Sequence, residues 1–144
     1  MKQSPPIQRI TEKLRGMGIR PTRQRVALAS LLFADRDRHV TAEILHGEAV
    51  KQRINVSLAT VYNTLNQFTR HGILREVHLD SDVCWFDTNT SPHHHFIFDS
   101  SGKVCDIDPD SLRIEGMPAL PEGHHIHHIE LVIHLASTEE LPRP

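Results

Sequence analysis

The chain has 144 residues, 38% of them apolar, and a formal net charge of −2, enough for one domain or two small ones with compact cores. No run approaches the roughly 18 apolar residues of a membrane span, and the N-terminal MKQSPPIQRITEKLRG lacks the apolar core of a secretory signal, so the expected compartment is the cytoplasm, without a membrane partner. The small net charge conceals a split: residues 1–80 carry 13 Lys and Arg against 7 Asp and Glu, and residues 81–144 carry 3 against 11. A basic half suits a polyanion, while an acidic, histidine-rich half suits cations or another subunit.

In chain order, Ile7, Ile10, Leu14 and Met17 fall on one helical face that Gly16 and Gly18 terminate. Pro21 and Thr22 start a second helix with Val26, Ala29, Leu32 and Phe33 inward. Thr41 caps a third, TAEILHGEAVKQR, with Ile44, Leu45 and Ala49 as its buried side. SLATVYNTLNQFTRHG follows, with Ser57 as N-cap, Gly72 as stop and Leu58, Val61, Leu65 and Phe68 as apolar stripe. Its other face carries Ala59, Tyr62, Asn63, Asn66 and Arg70 rather than the Glu/Lys mixture of a solvated helix.

ILREVHL and VCWFD, joined at Asp80-Ser81-Asp82, predict a hairpin. Helices followed by a hairpin make a winged helix-turn-helix; a generic helical bundle with an edge hairpin is the alternative. From residue 93 strands take over: HHFIF, KVCDI, and HHIHHIELVIHLAS, where Ile129, Leu131, Ile133 and Leu135 alternate with His128, Glu130, Val132 and His134. SLRIEGMPALPEG can begin only a short helical turn, because Pro118 and Pro121 interrupt it. The expected organisation is a basic reading module over 1–87, a hinge over 88–92 and an acidic sheet module over 93–144.

A helix bearing Tyr62, Asn63 and Asn66 can enter a major groove, with Tyr62 on a thymine methyl and an amide on a base edge. Arg20, Arg23, Arg25, Lys51, Arg53 and Arg75 can meet phosphates. The candidate DNA-binding set is Arg20, Arg23, Ser57, Thr60, Tyr62 and Asn63.

SPHHHF puts three consecutive histidines at the head of an apolar run in a chain with 12 histidines. On a strand, His93 and His95 share a side and His94 takes the other. His93 and His95 with carboxylates make a mixed N/O set for Fe(II), Mn(II) or Zn(II). Cys84 and Cys105 are the only cysteines and form no CxxC pair, which excludes a disulfide framework and a four-thiolate zinc site and leaves two buried thiols as the expectation. No HExxH or nucleophile signature is present, so the chain is not expected to be an enzyme.

GIRPTRQR, HVTAEIL, VSLATVYNTLNQF and FDT...HHHF...GKV, in that order and spacing, resemble the ferric uptake regulator family over nearly the whole chain. VSLATVYNTLNQ, FDTN, the triple His and Met117-Pro-Ala-Leu-Pro-Glu-Gly123 look like its iron response regulator branch. The resemblance implies an α+β homodimer, each subunit with an N-terminal winged helix-turn-helix domain and a C-terminal small α/β dimerisation domain. It implies Arg20 in the minor groove and Tyr62 on the recognition helix, with Asn63 replacing the arginine usual after that tyrosine in iron-sensing members. It assigns a regulatory metal site to His39, Asp87, His93, His95 and Asp106. A second family site is degraded, with Pro92, His94, Arg113 and His128 at its positions, and the structural zinc site is absent, with Phe98 and Ser101 where the first CxxC would stand. The branch also implies haem as a ligand, through His93, His94, His95 and His128, with haem delivered by a haem-synthesis enzyme. The function implied is a regulator of iron and haem metabolism genes that binds operator DNA when iron is scarce and is inactivated by haem; the alternative is a family repressor activated directly by Fe(II), Mn(II) or peroxide status.

Overall fold

The computed structural model describes residues 7–78 and 82–138. The chain divides into two compact units, 1–90 and 91–144.

In the first unit, α1 (Ile7–Gly16), α2 (Arg23–Leu32), α3 (Ala42–Lys51) and α4 (Leu58–Arg70) surround one core. Thr22, Thr41 and Ser57 cap α2, α3 and α4, each side-chain oxygen accepting the amide three residues on, at 3.2, 3.1 and 3.1 Å, which satisfies a donor with no partner inside the helix. Helix α1 stops as its glycines predict: Ile19 N donates to Leu14 O and Gly18 N to Arg15 O, with Gly18 at φ +80, the paired bonds of a left-handed C-terminal cap. Helix α3 ends in the same way at Arg53, whose φ of 57 is a conformation that favours glycine.

Val61, Leu65 and Phe68 on α4 are fully buried, each contributing about 1.5–3 kcal/mol of transfer free energy. Four apolar positions expected inside lie outside: Ile7 is 70% exposed, Met17 41%, Ile44 42% and Leu58 36%. Ile7 and Leu58 open their helices, and Met17 lies beyond the end of α1. Ile44 yields the inward face to Ala42, Leu45 and Ala49, and Leu28 on α2 is a core residue that the sequence pattern omitted.

Three short strands complete the unit. β1 (His39–Val40), β2 (Arg75–Val77) and β3 (Trp85–Asp87) form an antiparallel sheet in the order β1-β3-β2. The expected hairpin is therefore present as β2 and β3, while Asp80 and Ser81 of its turn lie outside the described residues. Asp87 is in register with His39 on one side and Arg75 on the other.

The second unit is a three-stranded sheet of β4 (His94–Phe98), β5 (Val104–Ile107) and β6 (Val132–Leu135), ordered β5-β4-β6. β5 runs antiparallel to β4 and β6 parallel to it. The crossover that a parallel pair demands is made by a 3-10 turn (Pro109–Ser111) and an irregular, exposed stretch. The long strand expected from His124, alternating from His128, is correspondingly shorter: only Val132–Leu135 pairs, and Ile129 is 39% exposed. Among the described residues no helix is long and apolar enough to cross a membrane.

Candidate functional site

Each unit holds a group of side chains of metal-ligating type. In the first, the β1–β3 pairing sets His39 opposite Asp87, with His39 Nε2 at 3.0 Å from Asp87 Oδ2. Asp87 is fully buried, and its Oδ1 accepts the Asn89 amide at 2.9 Å. A carboxylate at that depth needs compensating charge or hydrogen bonds, and the imidazole and amide supply part of it.

In the second unit, His93 and His95 are buried, and their Nε2 atoms lie 3.2 and 3.6 Å from the same oxygen, Asp106 Oδ1. The β4–β5 register, which pairs His95 with Asp106, brings them there. His93 Nδ1 lies 2.6 Å from the Ser91 carbonyl. A carbonyl only accepts, so Nδ1 carries the proton and donates it. The Nε2 lone pair then faces a carboxylate oxygen, and two acceptors at 3.2 Å repel unless a second proton or a cation lies between them. Two imidazoles aimed at one carboxylate, one of them held in orientation by a backbone carbonyl, have the donor chemistry and outer support of a divalent-metal centre.

His94 lies on the other side of β4, where its Nδ1 accepts the Leu131 amide at 3.0 Å. His128 is exposed and contacts the His127 ring and Glu130. The four histidines expected to bind haem thus divide between the Asp106 group and two positions with partners of their own.

The candidate DNA residues all lie in the first unit. Tyr62, Asn63, Asn66 and Arg70 lie on the outer side of α4, and Arg20 and Arg23 are exposed at the start of α2. Between these helices lies a polar groove of about 260 Å³ lined by Thr22, Gln24, Arg25, Thr60, Asn63, Thr64 and Gln67. Arg25 Nη1 donates to the Arg20 carbonyl at 2.9 Å, steadying the turn that carries Arg20. Ser57 and Thr60 are occupied with each other, the Ser57 hydroxyl donating to Thr60 Oγ1 at 2.9 Å.

Sequence reasoning missed Glu43. Its Oε1 accepts the Tyr62 hydroxyl at 2.9 Å, a bond that is the chief cause of a raised phenol pKa, while a backbone hydrogen bond first and the Tyr62 bond second hold the Glu43 carboxyl below its ordinary range. The pair joins residues 19 apart on different helices, so no local pattern signals it. The cysteines are free, as expected, but only partly buried rather than buried.

The model of the ferric uptake regulator family matches residues 16–134. The chain belongs to the ferric uptake regulator family. Among its relatives, the ferric uptake regulation protein of Synechococcus elongatus is 32% identical over 123 residues, 83% of each chain. The peroxide operon regulator of Bacillus subtilis is 32% identical over 124 residues, 85% of each. The solved ferric uptake regulator of Pseudomonas aeruginosa with manganese superimposes with a TM-score of 0.68 over 89% of this chain and 97% of that one, at 23% identity, a likeness of fold. As a ferric uptake regulator family member, the chain is a transcription regulator and not an enzyme.

Proposed function

We propose that this family member is a dimeric, metal-responsive repressor in which His39, Asp87, His93, His95 and Asp106 hold one divalent ion and Arg20, Arg23, Ser57, Thr60, Tyr62 and Asn63 meet operator DNA. The observation that carries the metal reading is the facing of two imidazoles and a carboxylate, His93 and His95 Nε2 on Asp106 Oδ1, which a cation relieves. Asp87 and His93 are six positions apart, a span of at most about 20 Å for an extended chain, so connectivity permits all five donors to serve one ion. Relatives are named for iron uptake and peroxide response, and solved members carry manganese or iron; this mixed N/O set suits the same ions.

The iron-scarcity, haem-inactivated form of this regulator rests on the resemblance to the iron response regulators. His94 would have to rearrange to serve it: with Nδ1 accepting from Leu131, Nε2 carries the proton, and axial ligation through Nε2 requires the Leu131 bond to be given up. Operator binding measured on apo, Mn(II)-loaded and haem-treated protein separates the two. A need for metal with no effect of haem supports the direct metal response; release by stoichiometric haem supports the haem-inactivated form. Operator affinity indifferent to both overturns the proposal, as does a monomer in sedimentation at micromolar concentration with and without metal.

A further inference from the structure

His124, His125, His127 and His128 place four imidazoles within five residues. All four are exposed, on the irregular stretch that precedes β6. A turn closed by His124 N donating to Pro121 O at 3.2 Å, with Gly123 at φ +79, sets where the run begins. His124 Nδ1 lies 3.0 Å from the Glu122 carbonyl. That acceptor fixes the proton on Nδ1 and leaves the Nε2 lone pair available to a metal, as an oriented ligand histidine requires. The His127 and His128 rings meet edge-on with centroids 5.0 Å apart, and His128 Nε2 is 3.9 Å from Glu130 Oε2.

We infer that His124, His125, His127 and His128 form a solvent-facing site for a borderline divalent ion of the Ni²⁺, Cu²⁺ or Zn²⁺ class, separate from the His93, His95 and Asp106 group. Imidazole prefers these ions over the harder Mn²⁺ and Mg²⁺, which seek oxygen donors. The backbone here is outside any helix or ladder, so two or three rings can swing to the roughly 2.0–2.1 Å that a metal–imidazole bond needs without breaking a sheet. Glu130 and water complete the shell.

The test uses the untagged full chain on immobilised Ni²⁺, which only surface imidazoles reach, with Ni²⁺ equilibrium binding in solution alongside. Wild type should be retained and elute with imidazole. The His124→Gln/His125→Gln/His127→Gln variant should run through and lose one Ni²⁺ equivalent. Its residues are exposed, so an unchanged melting temperature verifies its fold. The His93→Ala/His95→Ala variant, which lacks the proposed regulatory donors, should still be retained, so failure of the regulatory site and failure of this one are distinguishable. Retention of the triple variant equal to wild type, or loss of retention in the His93/His95 variant instead, overturns the inference.

Discussion

Replacing Asp87 by Asn tests the regulatory centre with little change of shape. The amide keeps an oxygen to accept the Asn89 N–H, now made at 2.9 Å, but presents neutral nitrogen where Oδ2 stands 3.0 Å from His39 Nε2. The wild-type carboxylate is fully buried, so removing its charge relieves desolvation while losing a charge-assisted contact, and each protein's metal-free melting temperature serves as its own baseline. Metal binding should suffer more, since a lost ligand costs at least the 10–100-fold associated with disturbing a metal's outer shell. With Mn²⁺ at 100 times the wild-type Kd, binding stabilises wild type by about 2.7 kcal/mol; a 100-fold weaker variant at the same concentration gains about 0.4 kcal/mol. At about 4 °C per kcal/mol, scanning calorimetry should record a Mn²⁺-induced rise of about 10 °C for wild type and about 2 °C for Asp87→Asn. A variant that keeps the full rise would show that Asp87 holds no metal.

Tyr62→Ala should weaken operator binding at fixed salt by at least about fivefold, as loss of a base contact worth about 1–3 kcal/mol implies, and Arg20→Ala should do likewise through the minor groove; unchanged affinity in a gel-shift titration would displace α4 as the reading helix. Arg53→Gly should raise the urea midpoint, by about 1 kcal/mol in unfolding free energy, because the φ of 57 costs a side chain what glycine does not pay, while weakening DNA binding if Arg53 meets a phosphate. Cys84 should resist alkylation: burial, then the hydrogen bond its Sγ donates to Glu76 Oε1 at 2.9 Å and that residue's charge, push the thiol up to about 12. At pH 8 roughly one molecule in 10⁴ is thiolate, so the rate followed by mass spectrometry should climb with pH through 11, and Glu76→Gln should recover part of it, since burial remains.

Periodicity, caps and glycines made α1 to α4 legible because helix signals are local: Thr22, Thr41, Ser57, Gly18 and Gly72 act within one turn of themselves. Strand parity likewise separated His94 from His93 and His95, since alternation needs only the backbone. The family resemblance named the metal donors, but composition alone proposed no partner for His93 and His95 beyond a carboxylate. Periodicity misjudged depth at helix ends, where Ile7 and Leu58 satisfy the stripe yet find no neighbour to cover them. It also extended β6 too far, because alternation from His128 to Leu135 says nothing of how much of the run meets another strand, and only Val132–Leu135 does.

The chain by itself determined the basic and acidic halves, which are composition alone, and the helices, their stops and the side of each strand on which a histidine falls, which are properties of residues within a few positions of one another. Tertiary structure alone decided that Asp87 stands opposite His39, that Asp106 stands beside His95, and that Glu43 holds the Tyr62 hydroxyl. Each of these joins residues more than ten positions apart, and strand register or helix packing, which no local preference encodes, sets the distance between them.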